Sequence, residues 1–242
     1  MKTSKLMFWA MLLPGGAFAV DGVVLINQST VTSSGGFPFK ITQPGSYRLS
    51  GNLTVPDTNT TAISITVDNV TLDLNGFSII GPNVCTGTPV TSCTAGGLGN
   101  GVEGSKNNIT VMNGFVKGIG FYGIKLSGTG SYVEKVNVLF AAIGIEITGH
   151  GTIAQCSASS TSGTGILAAN ATVRDSTAAY NGTDGIRVIS GTVSSNTAND
   201  NGGNGISVAC PSTVINNTAN NNTAGNLNVS GSGCALANNA AP

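Results

Sequence analysis

Residues 165–208 read GILAANATVRDSTAAYNGTDGIRVISGTVSSNTANDNGGNGISV, and this stretch states one pattern twice and begins it a third time. Gly165-Ile166-Leu167-Ala168 returns as Gly185-Ile186-Arg187-Val188 and again as Gly205-Ile206-Ser207-Val208, at steps of 20 residues. A second extended segment follows each phrase, anchored at Thr172-Val173 and Thr192-Val193, and then a turn at Asn181-Gly182 or Asn201-Gly202. No unit holds the ten or more residues of 3.6-periodic pattern that a helix requires. Each unit is therefore read as two or three short strands joined by turns.

Working outward, the phrase recurs upstream as Gly144-Ile145-Glu146-Ile147 and Gly123-Ile124-Lys125-Leu126, at steps of 21, with Gly101-Val102-Glu103 a further 22 residues back. Leu227-Asn228-Val229 continues it downstream. The second strand extends likewise, from Thr110-Val111, Tyr132-Val133 and Thr152-Ile153 to Thr213-Val214 and Ala235-Leu236. An all-strand unit this short cannot bury its apolar side alone, so successive units must stack in parallel with like positions in register. Cys156, Ser176, Asn196, Asn217 and Asn239 all fall three residues after the second-strand anchor, which predicts a ladder of stacked polar side chains at a turn.

The absence of six-residue repeats argues against a left-handed solenoid, and the fixed period argues against a sandwich. A coil of this length resembles the right-handed pectin-lyase-like solenoid. Its clearest opening passage is Ile41-Thr42-Gln43-Pro44-Gly45-Ser46-Tyr47-Arg48-Leu49, followed by Asn69-Val70-Thr71-Leu72-Asp73-Leu74-Asn75-Gly76, which is similar to the first coils of many bacterial β-helix proteins. The resemblance covers residues 41–242. It implies an all-β chain, a right-handed parallel β-helix of about eight coils with ~21 residues each. It assigns no activity, because that fold hosts lyases, hydrolases, epimerases, adhesins and binding proteins.

Residues 1–19 have the parts of a signal peptide: Lys2 and Lys5, an apolar run from Leu6 to Leu13 too short to span a bilayer, and Ala17-Phe18-Ala19 as a small-x-small cleavage site. Secretion after cleavage near Ala19, outside the cell or in the periplasm, is the expectation, with no membrane insertion. Residues 20–40 are expected to cap the solenoid, 41–242 to form it, and 81–100, rich in Gly, Pro and Cys, to form a loop insertion. The 242-residue chain carries 35 Gly, 8% charged residues and zero formal net charge. So few charges argue against nucleic acid and anionic membranes, which draw their attraction from clustered Lys and Arg. Disorder is excluded by the 40% hydrophobic content at regular spacing.

Of the five cysteines, Cys85 and Cys93 suit a local disulfide. Cys210 and Cys234, one coil apart, stack at ~4.8 Å, within disulfide reach. Cys156 is left as a small core residue.

Stacking also brings the middle residue of each Gly-Ile-x phrase into one outward column: Glu103, Lys125, Glu146, Leu167, Arg187, Ser207. Glu103, Lys125, Glu146 and Arg187 are the candidate ligand-binding residues, either as a polar strip for a sugar or as a cross-strand salt-bridge ladder. A second column carries Glu134, Ala154 and Arg174, beside Lys135, Gln155 and Asp175, and reads as a solvated face. Thr152, Thr172, Thr192 and Thr213 form a third. Gly149-His150-Gly151 copies a tripeptide of polygalacturonases, but the aspartate-bearing segments that accompany it in that family are missing, so neither a general acid nor a base for water is paired with it. The acidic residues lie on different coils or faces, so no calcium site is predicted. No catalytic residue, metal or cofactor is assigned. The expected role is an exported scaffold or binding module contacting a polysaccharide or cell-surface glycan; the alternative is a carbohydrate-active lyase, hydrolase or epimerase. An uncapped last coil would favour end-to-end self-association.

Overall fold

The computed structural model describes residues 22–94 and 96–242. The expected signal peptide, residues 1–19, lies outside them. Parallel strands wind into a right-handed β-helix of about ten turns at about 21 residues each. The expected number is about eight. The seven strands from Val102 to Leu227 are preceded in the same ladder by Phe39–Ile41 and Ile63–Ile65, which do not carry the Gly-Ile phrase, and Val23–Ile26 adds a further turn by pairing with Gly45–Leu49.

Three ladders form the walls. The first stacks the Gly-Ile strands, with Val102 on Ile124, Ile124 on Ile145, and so on through Ile166, Ile186, Ile206 and Leu227. The second runs from Val23–Ile26 through Gly45–Leu49 to Ala235–Ala237, and includes the pairs Thr152 to Thr172, Thr172 to Thr192 and Thr192 to Thr213. The third carries Ser157–Ser159, Thr177–Ala179, Thr197–Asn199 and Thr218–Asn220.

Alternation along each strand sends one side chain in and the next out. Ile124, Ile145, Ile166 and Ile186 are fully buried in a single core column, each stabilising the fold by roughly 1.5 to 3 kcal/mol relative to exposure. The glycine before each of them has a steric reason. A Cβ on Gly165 would stand 2.8 Å from the Gly185 carbonyl oxygen of the next coil. Residue 165 must therefore be bare for the coils to close to strand spacing.

At both corners of the third wall one residue turns left-handed: Asp175, Ser195 and Asn216 on one side, Tyr180, Asp200 and Asn221 on the other. The next side chain points inward and binds the bent backbone. At the first corner, Asn196 Oδ1 accepts the Ser176 N–H at 3.0 Å, and its Nδ2 donates to the Val173 carbonyl and to Asn217 Oδ1 at 2.9 and 3.0 Å. Asn217 does the same onto Asn239. This is the ladder expected from the sequence. The second corner holds another, through Thr161, Asn181, Asn201 and Asn222. Sequence reasoning took those asparagines only as turn formers.

Cys156 is buried and ends the side-chain ladder at the first corner, its N–H donating to Ser176 Oγ and its thiol to the Ala154 carbonyl. Burial pushes that thiol up to about 11. Toward the N-terminus the same inward position is apolar, as at Val136, so the core changes from hydrocarbon to amide along the axis.

The helix Gln28–Ser33 buries Val31 against the first coils. Within 81–100, an antiparallel hairpin pairs Cys85–Thr86 with Ser92–Cys93, closed by the Cys85–Cys93 disulfide. It lies along the solenoid: Asn83 Nδ2 donates to the Ile119 and Phe140 carbonyls, and the Val90 N–H to the Tyr180 carbonyl. The Cys210–Cys234 disulfide joins neighbouring coils with Cα atoms 5.1 Å apart.

Candidate functional site

The register of the first wall places Glu103 beside Lys125, Lys125 beside Glu146, Glu146 beside Leu167, and Leu167 beside Arg187. The predicted column exists, and three of its four charged members are adjacent. Lys125 Nζ sits 3.7 Å from Glu146 Oε1 and 4.4 Å from the centre of the Tyr122 ring. Although Glu146 occupies an outward position, it is only 5% exposed. Burial raises the Tyr122 hydroxyl above its ordinary pKa, and the Glu146 carboxylate pushes the same way. Glu103 accepts a 2.7 Å hydrogen bond from Asn100 Nδ2. A pocket of about 350 Å³ opens beside Glu103 and Lys125, with Ser64 and Thr66 on its rim. Arg187 stands apart, exposed, with Leu167 between it and Glu146. The cluster is largely satisfied from within: lysine on carboxylate and ring, the other carboxylate on an amide.

The larger concavity follows the corner between the first and second walls. It has a volume of about 750 Å³ and runs from Gly130 to Gly233 and Ala235. Its floor is small, with Ser131 stacked on Gly151, and Ala171 on Gly191 and then Ser212. A Cβ on Gly191 would collide with the Ala171 carbonyl oxygen, so the floor is kept bare by coil stacking. One side of it carries Thr152, Thr172, Thr192 and Thr213 in register. Among the described residues the hydroxyls of these four threonines have no hydrogen-bond partner, in contrast to Thr161 and Thr164, which are bonded. Each is thus free to donate and to accept.

Tyr132 and the exposed His150 line the same groove toward its N-terminal end. Arg174 reaches the Tyr132 hydroxyl through Nη2 at 3.1 Å and holds Asp175 through Nη1 at 2.8 Å. Among the described residues, His150 of the Gly-His-Gly tripeptide has no carboxylate as a groove neighbour. Sequence reasoning saw the threonine column but not the groove, because the concavity comes from the bend between walls. A readable sign is that each threonine follows a small residue: Gly151, Ala171, Gly191, Ser212. Among the described residues, no three His, Cys, Asp or Glu gather closely enough to hold a metal ion, and no helix is long and apolar enough to cross a membrane.

A protein-family model described as "Right handed beta helix region" matches residues 100–241. Among solved structures, the chain is similar to the Dettilon tailspike protein, at 16% identity and a TM-score of 0.53, over 81% of this chain and 46% of that one. It thus spans less than half of the tailspike chain. No curated protein sequence matches.

Proposed function

Because the chain belongs to the right-handed β-helix family, we propose that it serves as an exported scaffold that contacts glycans along the corner groove. The observation that carries this reading is the row of four unpartnered threonine hydroxyls beside a floor of Gly and Ala. Sugars are recognised by many weak hydrogen bonds from fixed donors and acceptors, and a stacked wall supplies them without ordering cost. Export is supported by two disulfides, which persist in oxidising compartments, and by the signal-peptide pattern of residues 1–19. The test is a glycan array probed with residues 20–242 and with the variant Thr172→Val/Thr192→Val. Glycan binding lost in the variant supports the reading, and binding to no glycan removes it.

A second reading, a carbohydrate-active enzyme, is favoured by one observation: a nearly buried carboxylate, Glu146, next to Lys125 at the edge of a pocket that also holds Glu103. Release of reducing ends or unsaturated uronates from polyuronides, abolished by Lys125→Ala or Glu146→Ala, would establish it. End-to-end self-association through the exposed Leu236 is tested by sedimentation of Leu236→Asp against the parent chain.

A further inference from the structure

We propose that the corner groove takes one extended, uncharged glycan strand lying parallel to the solenoid axis, with one sugar ring per coil. This rests on the glycan-contacting reading above and specifies its ligand.

The geometry sets the direction. Threonine hydroxyls recur only along the axis, Thr152 to Thr172 to Thr192 to Thr213, one per coil. Successive coils are ~4.8 Å apart, close to the length of one hexose in a straight, extended glycan. A chain lying along the groove meets an equivalent hydroxyl at every unit; a chain crossing it meets one. From Ser131 to Ser212 the groove passes five stacked rungs, Ser131, Gly151, Ala171, Gly191 and Ser212, and it ends on the next coil at Gly233 and Ala235, so its capacity is about six sugars at strand spacing.

Composition sets the charge class. Among the described residues no Asp, Glu, Lys or Arg lines the groove, and Arg174, the charge that reaches Tyr132, is neutralised by Asp175. A uronate or sulfated sugar would leave its anion without a partner at each coil. The bare floor at Gly151, Ala171 and Gly191 leaves room for a flat ring to approach the backbone. At the N-terminal end the half-buried Tyr132 ring, held by Arg174, offers an aromatic face of the kind sugar C–H groups pack against.

The test is titration of residues 20–242 with β-1,4-linked gluco-oligosaccharides and with oligogalacturonates, each from two to about eight units, at low and high salt. Affinity for the neutral series is expected to rise about fivefold per added sugar, the worth of roughly one net hydrogen bond. It should level off near six units, be indifferent to salt, and lose a step of about that size for each threonine changed in Thr172→Val and Thr192→Val. Preference for the oligogalacturonates or affinity independent of length overturns this inference and leaves the glycan-contacting scaffold standing, whereas insensitivity to the threonine changes overturns the corner groove as the contact in both readings. Failure of both series, together with an empty glycan array, overturns both.

Discussion

Arg174 reaches back across the rung of Ala154 to place Nη2 3.1 Å from the Tyr132 hydroxyl, two coils away. The contact fixes the tyrosine ring at the N-terminal end of the groove, while Asp175 holds the other guanidinium nitrogen. Arg174→Ala is expected to lower glycan affinity several-fold without a measurable change in thermal midpoint, since exposed pairs contribute little to stability. Asp175→Asn should leave affinity unchanged. Titration beside a melting curve separates the two effects, and a large loss of midpoint in Arg174→Ala would make the contact structural instead.

Lys125 and Glu146 form a pair with one exposed and one buried partner. A double-mutant cycle over Lys125→Met and Glu146→Gln should give a coupling of about 1 kcal/mol, at the upper end for pairs with an exposed lysine. Glu146→Gln alone should be tolerated, and Lys125→Met alone should cost more, because it strands a buried carboxylate. Urea denaturation of the four proteins measures this.

Asn196 and Thr192 lie four residues apart in one coil and should respond oppositely. Asn196→Ala removes the acceptor of the Ser176 N–H and the donor to the Val173 carbonyl, both buried, and should cost about 3 kcal/mol. Thr192→Val touches an unpartnered hydroxyl and should change stability by less than about 0.5 kcal/mol. Equal losses in chemical denaturation would contradict the assignment of one to the core and one to the surface.

The buried thiol of Cys156 should make stability fall in alkali. Its folded pKa, about 11, lies above that of the unfolded chain, so the folded state holds the proton more tightly. The contribution is complete below about 8.5 and is lost as pH rises through about 11. The loss is on the order of 3 kcal/mol and should be absent from Cys156→Ala. Thiol reagents at pH 8 should label Cys156 only after denaturant is added.

Opening the Cys85–Cys93 bridge should loosen the inserted hairpin alone. In Cys85→Ser/Cys93→Ser the Val90 amide, bonded to the Tyr180 carbonyl in the intact chain, should exchange far faster, while the amides of Ile166, Ile186 and Ile206 keep their protection. Uniform acceleration across the solenoid would mean that the hairpin supports the whole domain.

The stacked walls were legible in the sequence because a period of 20 or 21 residues admits one arrangement once units must share a core. The charged column followed by counting, and Glu103, Lys125 and Glu146 stand where that count places them. Two things were not readable. The second ladder, through Asn181 and Asn201, was hidden because asparagine before glycine signals a turn equally well whether its side chain faces water or the core. The groove was hidden because concavity depends on the angle between walls, which no residue type encodes. Burial of Glu146 has the same origin: its position alternates outward, and its cover by Tyr122 and Lys125 is a tertiary fact.

Between Ile166 and Ile206 the coils are interchangeable parts. Ile166, Ile186 and Ile206 occupy one column, Thr172, Thr192 and Thr213 another, and Asn181 and Asn201 repeat the same bonds. Excision of residues 186–205 would join Gly185 directly to Ile206 with every column still aligned. The domain is in that sense a ruler: lineages that gain or lose a coil change the reach of its flank in whole units, without redesign of the core.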